Sequence, residues 1–145
     1  MQFFIRKVLE ADAVPITRLS NQLGYPLSTA DTLQNLRAMN SDDEIALVAV
    51  KGNEIVGWIH AFKTVRLESG TFAEIGGLVV DQQHNRMGIG RALVENLREW
   101  CTGKGIVSLR VRCNVKRSEA HEFYKAMGFA ESKQQKVFET ALINK

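Results

Sequence analysis

The chain has 145 residues, of which 45% are hydrophobic and 24% are charged, and this is enough for one compact domain whose core needs no disulfide support. It has no run of about eighteen apolar residues and no N-terminal cleavage site, so we expect a cytoplasmic protein without a membrane span or a signal peptide. The net charge of +3 comes without the unbroken Lys/Arg tract and interleaved aromatic residues of a nucleic-acid surface, so nucleic acid is not an expected partner.

The cysteines and histidines form no metal-binding pattern. Cys101 and Cys113 lack CxxC spacing and lie in apolar-patterned segments, which predicts buried, reduced thiols. His60, His84 and His121 are scattered and show no ligand spacing with the cysteines. We therefore expect no metal site.

The N-terminal part of the chain predicts a strand followed by two helices. The segment "FFIRKV" (3–8) has the apolar character of a strand, and we expect Asp12 to cap a first helix that stops at Gly24. We expect Ser28 to cap a second helix, which ends at the polar segment "NSDD".

The middle of the chain predicts three consecutive antiparallel strands. The segments "EIALVAV" (44–50) and "EIVGWIHAFKTV" (54–65) are separated by "KGN", a short connection typical of a hairpin. A third strand, "TFAEIGGLVV" (71–80), completes the meander. Gly76 and Gly77 weaken this strand because glycine has no side chain to pack, so we expect a β-bulge there.

The last part of the chain predicts a helix, a strand, a helix and a closing strand. Residues 88–102 have apolar positions at helical spacing, and "IVSLRVRC" (106–113) alternates like a strand with one buried face. A last helix is predicted over roughly 117–127, and "KVFETALI" (136–143) is the predicted closing strand. Because no repeat or linker interrupts the chain, we predict a single α/β (α+β) domain over residues 1–145, with a mixed sheet.

The turn "HNRMGIGRAL" (84–93) joins the third strand of the meander to the next helix. A glycine turn that opens a helix presents unpaired backbone N–H groups at the positive end of the helix dipole, which favours an anion. A P-loop is excluded because neither Lys nor Ser/Thr follows Gly90. A Rossmann turn is excluded because Leu93 stands where its third glycine would be.

Two segments resemble the general-control-related N-acetyltransferase (GNAT) superfamily. The strand, loop and helix "IGGLVVDQQHNRMGIGRALVENL" contain the loop "NRMGIG", similar to the family's (Arg/Gln)-x-x-Gly-x-(Gly/Ala), with Asn85 in place of the usual Arg or Gln. Downstream, "RCNVKRSEAHEFYKAMGF" is similar to the segment after the family's fifth strand and ends in its Tyr-x-x-x-Gly-Phe pattern. The resemblance covers nearly the whole chain and is specific from about residue 74 to 129. It implies a mixed, mostly antiparallel sheet of about six to seven strands with four flanking helices and a splayed central strand pair.

The resemblance implies acetyl-CoA as cosubstrate and assigns the residues that bind it. The pantetheine arm is expected along the splayed strand, where backbone groups of Leu78 and Val80 would pair with it, with Val79 between them. Asn114 is expected to meet the pantetheine amides, although it equally suits the turn that ends a strand. The pyrophosphate is expected on the backbone of the glycine turn, at Arg86, Met87, Gly88, Ile89, Gly90 and Arg91.

The resemblance also places two side chains at positions used for proton transfer. Glu74 is expected to be the base that takes a proton from the acceptor amine, and its alternative is an exposed strand carboxylate or a salt-bridge partner. Tyr124 is expected to be the acid that protonates the departing thiolate, and its alternative is aromatic packing under the last helix.

The expected acceptor is a small-molecule primary amine that attacks the thioester directly in a ternary complex. The region from Gly24 to Glu44, which would form the acceptor wall in this fold, carries carboxylates that suit a cationic amine. Two alternatives stay open: a protein acetyltransferase acting on a lysine or an N-terminal amine, and a non-catalytic coenzyme A-binding module. A homodimer paired through the last strand and the hairpin edge is also left open.

Overall fold

The computed structural model describes residues 2–84, 87–113 and 117–143. The chain forms two compact units, Met1–Arg112 and Cys113–Lys145. The first unit contains β1 (Phe4–Lys7), α1 (Ala13–Gln22), α2 (Thr29–Ala38), β2 (Glu44–Lys51), β3 (Glu54–Arg66), β4 (Gly70–Val80), α3 (Ile89–Gly103) and β5 (Leu109–Val111). The second unit contains α4 (Ser118–Ala126).

The sheet of the first unit has five strands in the order β1-β2-β3-β4-β5. The first four strands are antiparallel neighbours, and β5 runs parallel to β4. This confirms the predicted meander and the mixed, mostly antiparallel sheet. The parallel step requires a crossover, and α3 provides it between β4 and β5.

The two faces of the sheet are covered by different helices. On one face, α1 packs into a core cluster of Ile16, Leu19, Val48, Val50, Ile55 and Val79, with Trp58 against it. On the other face, a Cβ added to Gly57 would lie 3.0 Å from Ile89 Cγ2 and 3.3 Å from Leu93 Cδ1. Glycine at this position therefore lets α3 approach β3 closely.

The predicted helix cap at Ser28 is confirmed. The Ser28 hydroxyl accepts the Asp31 N–H at 3.0 Å, and the Asp31 carboxylate accepts the Ser28 N–H at 3.1 Å, which closes a capping box at the start of α2. None of the helices in the described ranges has the length and apolar character needed to cross a bilayer.

Asp12 is the N-cap residue of α1, as predicted, but its side chain makes no cap hydrogen bond to this helix because the carboxylate has other partners. Instead the carboxylate accepts the Leu9 N–H at 2.8 Å, within a 3₁₀ turn over Glu10–Asp12, and pairs with Arg6 Nη1 at 2.8 Å. Burial of Asp12 disfavours its charge, but Arg6 and the Leu9 N–H outweigh burial and hold the pKa of this carboxyl below its usual value.

The predicted closing strand at 136–143 is wrong. Residues 130–143 contain no strand or helix, and the sheet has five strands among the described residues instead of the six or seven expected. The apolar residues there come in adjacent groups and do not alternate, so the segment has no single buried face that would set a pairing register. Its large side chains are exposed, at 80% for Val137, 88% for Phe138, 95% for Leu142 and 70% for Ile143.

The second unit is organised around the end of α4. The Tyr124 ring meets the rings of Phe123 and Phe129 edge to face, with centroids 5.1 and 5.3 Å away. Gly128 has φ +94°, and the Phe129 N–H donates to the Tyr124 carbonyl at 2.9 Å. The "MGF" segment thus ends the helix with glycine in the left-handed region.

Candidate active site

The predicted bulge lies in β4 at Gly76. His60 pairs with Gly77 and Ala61 pairs with Ile75, so Gly76 is the extra residue of β4. The inserted residue bends β4. It also shifts by one residue the pattern in which successive N–H groups of β4 point toward β3 and away from it.

Side chains of β3 explain why glycines occupy both positions of this bulge. A Cβ on Gly77 would lie 2.8 Å from Trp58 Cη2. A Cβ on Gly76 would lie 3.0 Å from His60 Nδ1 and 3.2 Å from Phe62 Cε1. The glycines therefore allow three rings of β3 to lie directly over the bulge.

Beyond the bulge, β4 continues past its pairing with β5. The ladder runs from Ala73–Leu109 to Ile75–Val111 and then stops, whereas β4 extends to Val80. Among the residues that the structure describes, the β5 side of 76–80 has no strand partner. This free side corresponds to the predicted splay of the central strand pair.

Backbone alternation identifies which N–H groups face the free side. The Asp81 N–H donates to the Val56 carbonyl of β3 at 2.9 Å. Because N–H directions alternate along a strand, Val79 also points toward β3, and Leu78 and Val80 point away from it. Leu78 and Val80, two of the three residues predicted for the pantetheine arm, thus present their N–H groups on the free side. The N–H group of Val79 points toward β3, and its side chain is 2% exposed and lies in the core cluster.

The glycine turn opens α3 without a side-chain cap. Gly88 is the N-cap residue with φ +80°, and the first helical hydrogen bond runs from the Ala92 N–H to its carbonyl at 3.0 Å. The N–H groups of Ile89, Gly90 and Arg91 precede that bond and have no intrahelical acceptor. Gly88 and Arg91 are exposed, Met87 and Gly90 are half-buried, and the Ile89 side chain anchors the turn in the core.

Asp81 anchors the segment that leads into this turn. Its carboxylate is 3% exposed, accepts the Gln83 N–H at 3.0 Å, and lies 3.3 Å from His84 Nδ1 and 3.9 Å from Arg18 Nη1. Burial disfavours the charged form, but the Gln83 N–H and His84 outweigh it and hold the pKa of Asp81 below its usual value. An ionised carboxylate therefore fixes the start of the turn.

A row of three side chains crosses the sheet beside the bulge. Phe62 of β3 stands opposite Glu44 of β2 on one side and Glu74 of β4 on the other, so all three share one face. Glu74 Oε2 lies 3.7 Å from Arg112 Nε, and the Glu74 side chain is 14% exposed. This row places two carboxylates on either side of an aromatic ring.

His60 lies next to the row on the same face. Its Nε2 is 3.4 Å from Glu44 Oε1, and its ring is 5.7 Å from the Phe62 ring. Both side chains of the His60–Glu44 pair are 27% exposed. The pair is thus accessible from solvent at the bulge.

A family model, the acetyltransferase (GNAT) family, matches residues 13–129 of the chain. The chain belongs to the GNAT acetyltransferase family. It is therefore an N-acetyltransferase that uses acetyl-CoA as cosubstrate, and this confirms the predicted family and enzyme class.

Several relatives of this GNAT acetyltransferase act on aminoglycosides. It is 30% identical over 138 residues to aminoglycoside N(6')-acetyltransferase type 1 of Stenotrophomonas maltophilia, across 88% of this chain and 86% of that protein. Its fold resembles aminoglycoside 6'-N-acetyltransferase AAC(6')-Ih of Acinetobacter baumannii, with a TM-score of 0.85, 18% identity, and 97% and 99% of the two chains covered. It also resembles an aminoglycoside acetyltransferase from an uncultured soil sample, in complex with sisomicin, with a TM-score of 0.82, 23% identity, and 97% of each chain covered.

The expected proton-transfer residues of this GNAT enzyme have defined partners. Glu74 is not an exposed strand carboxylate, since it is largely buried and has the salt-bridge partner Arg112. Tyr124 is 9% exposed and takes part in the aromatic contacts of the second unit. Their roles as base and acid stay predictions. Asn114 and Arg86 lie outside the described residues.

Two features of this GNAT fold were missed from the sequence. Asp81 had a weak signal, an acidic residue directly after an apolar strand. The His60–Glu44 pair had none, because the residues are sixteen apart in sequence and meet only through the register of β2 and β3.

The two cysteines of this GNAT enzyme are unpaired, and one cavity lies beside β5. Both cysteines are free thiols, with Cys101 buried and Cys113 half-buried, and burial raises the pKa of each. A cavity of about 470 Å³ is lined by residues from the end of α3 to β5, including Cys101, Ile106 and Leu109. In the described ranges no three His, Cys, Asp or Glu side chains cluster as metal ligands do, and the expected absence of a metal stays a prediction.

Proposed function

We propose that this enzyme acetylates a primary amine of a cationic, aminoglycoside-like small molecule by direct attack in a ternary complex. The observation that carries the proposal is the row of Glu44, Phe62 and Glu74 beside the bulge. Carboxylates on both sides of an aromatic ring suit an ammonium group, through charge and through the face of the ring. The 30% identical aminoglycoside acetyltransferase supports the same class of acceptor.

Acetyl-CoA would be held by backbone groups. The N–H groups of Leu78 and Val80 on the free side of β4 suit the amide-rich pantetheine arm, and one of them suits the thioester carbonyl as an oxyanion donor. The uncapped N–H groups of Ile89, Gly90 and Arg91 suit the pyrophosphate. Arg86, Met87, Gly88 and Asn114 join this proposed site on the strength of the sequence resemblance.

The chemistry needs a neutral amine and a protonated leaving group. The amine nitrogen attacks the thioester carbon, the C–S bond breaks, and the sulfur takes up a proton. We assign Glu74 as a base for the nitrogen and Tyr124 as the acid for the sulfur. If Tyr124 is the acid, Tyr124→Phe should lower kcat and leave acetyl-CoA binding nearly unchanged. A variant that loses both acetyl-CoA binding and turnover would contradict the role of Tyr124 as the acid.

The test of the acceptor is a thiol-release assay with acetyl-CoA and a matched set of amines. Sisomicin should be acetylated, whereas an aminoglycoside with a hydroxyl in place of the 6'-amine should react far less. Spermidine controls for a simple polycation, and a lysine-containing peptide represents the protein-acceptor alternative. Preference for the peptide would replace the proposed acceptor class, and tight acetyl-CoA binding without transfer to any amine would favour a non-catalytic module.

We also propose that the enzyme forms a homodimer. The exposed apolar segment of Val137, Phe138, Leu142 and Ile143 supports an assembly that covers it, since large contiguous apolar surface is uncommon on monomers. Light scattering after size-exclusion chromatography should give twice the mass of 16.3 kDa, and Phe138→Glu should shift it toward the monomer. A monomeric wild-type protein would contradict the proposal.

A further inference from the structure

The position of His60 points to a second group for proton transfer. We propose that His60, oriented by Glu44, takes the proton that converts the ammonium form of the acceptor into the attacking amine. This inference rests on the proposed function and adds a residue to it. Glu74 keeps its proposed role for the proton released after attack.

The contacts of His60 aim one ring nitrogen at the bulge. Nε2 lies 3.4 Å from Glu44 Oε1, on β2. Nδ1 lies over β4, 3.0 Å from the place where a Gly76 Cβ would stand. With no side chain on Gly76, the His60 ring lies directly against β4 where β4 leaves β5, and the exposed 27% of the His60 side chain is the part that a ligand can reach.

The partner of Nε2 determines which nitrogen can act as a base. An ionised carboxylate accepts hydrogen bonds and donates none, so the contact with Glu44 favours a proton on Nε2. Nδ1 then carries the lone pair and faces Gly76. A carboxylate that orients a histidine in this way also stabilises the imidazolium formed after proton transfer.

Imidazole suits this proton better than a carboxylate does. An aliphatic ammonium has a pKa of about 10, an imidazolium about 6.5 and a carboxylic acid about 4. The pKa of imidazole is therefore closer to that of the ammonium group that gives up the proton. Glu74 moreover already faces Arg112, 3.7 Å away. The two groups therefore suit different steps of one reaction.

The proton balance assigns one nitrogen proton to each group. His60 Nδ1 takes the first proton from the ammonium and leaves a neutral amine. The amine forms the C–N bond, and the second nitrogen proton passes to Glu74. The C–S electron pair leaves with sulfur, which takes a proton from the Tyr124 hydroxyl, and the proton held by Glu74 returns to Tyr124 through solvent. His60 releases its proton to solvent, so the products are the amide, the CoA thiol and one proton.

The charged groups around His60 predict a pH dependence. Glu44 faces it from β2, and Glu74, with Arg112 beside it, lies across Phe62 on β4. Because His60 must be neutral to accept a proton, kcat/KM should rise with pH along an acidic limb. Glu44 orients the His60 ring, so Glu44→Gln should reduce the maximum of this profile.

The experiment compares pH profiles of kcat/KM for the wild type, His60→Gln, His60→Ala and Glu44→Gln. His60→Gln should lose at least about 10²-fold at neutral pH together with the acidic limb, while acetyl-CoA still raises Tm as in the wild type. Added imidazole should restore turnover to His60→Ala. The matched control for Glu44→Gln is Glu54→Gln, because Glu54 is an exposed glutamate at the start of β3. This variant should keep the wild-type profile.

The outcomes separate this inference from the proposed function. A wild-type enzyme that acetylates none of the amines removes the proposed function. An active wild type with an unchanged acidic limb in His60→Gln overturns the role of His60 alone. A His60→Ala variant that folds, binds acetyl-CoA and loses activity without rescue by imidazole also overturns it, since His60 then only shapes the acceptor face.

Discussion

Glu74 and its neighbours show how single residues divide the work at the bulge. The carboxylate lies two positions before Gly76, faces Arg112 at 3.7 Å, and stands opposite Phe62 on the acceptor face. Arg112 is the charged partner of this carboxylate on β4. A substrate ammonium placed here would share Glu74 with Arg112.

Removing the charge of Glu74 should reduce turnover. We expect Glu74→Gln to lower kcat/KM by roughly 10²-fold across the pH range, because the amide cannot take the nitrogen proton that is released after attack. Steady-state kinetics from pH 6 to about 10 measures this. Equal activity of variant and wild type across the range would reduce Glu74 to a salt-bridge partner.

Glycine at position 77 is required by close packing with Trp58. A Cβ there would lie 2.8 Å from the indole ring, so we expect Gly77→Ala to lower the free energy of unfolding by about 1–3 kcal/mol. Gly103→Ala is the matched control, because its Cβ would meet nothing within 4 Å and it lies in α3, where alanine stabilises a helix by about 0.5–1 kcal/mol. Urea denaturation of both variants tests the difference, and equal changes would contradict it.

At the scale of the elements, short charged contacts hold segments that the sheet itself does not fix. Arg6 of β1 and Asp12 connect the edge strand to the turn before α1 through two hydrogen bonds of 2.8 and 3.0 Å. Asp81 does the same between the end of β4 and the turn before α3. Both carboxyls have lowered pKa values, so both contribute to stability in their charged form.

The Arg6–Asp12 pair predicts a pH-dependent stability. Since the folded-state pKa of Asp12 is lowered, its contribution is fully present above the unfolded pKa of about 3.9 and is lost as the pH falls through the folded value. Asp12→Asn should therefore cost about 1–3 kcal/mol at pH 7, and the difference from wild type should shrink below pH of about 4. Thermal unfolding at several pH values measures this, with the exposed Asp42→Asn as control. A difference independent of pH would contradict it.

At the scale of the whole molecule, local patterns predicted most of the fold and part of the site. The hairpin connection "KGN", the capping box at Ser28 and the helical spacing after Gly88 each act within a few residues, and the structure has all three elements. The twin glycines predicted the bulge because glycine in a strand needs a compensating contact. The glycine turn and the resemblance predicted the family.

Features that depend on which partner a residue meets in the folded chain were not predictable in this way. Asp12 has the right identity for a helix cap, but Arg6 and the Leu9 N–H occupy its carboxylate. The segment 136–143 has strand-forming residues, yet a strand needs a partner and an alternating face, and local composition supplies neither. His60 meets Glu44 only after β2 and β3 pair in one register.

The central claim is that acetyl-CoA binds to the free side of β4 and to the glycine turn. Amide hydrogen exchange, measured by NMR with and without acetyl-CoA, tests it most directly. We predict slower exchange of the Leu78, Val80, Ile89 and Gly90 amides on addition of acetyl-CoA, with little effect of NAD and little change at Val79, whose N–H already points toward β3. Unchanged exchange at Leu78 and Gly90, or equal protection by NAD, would contradict the account.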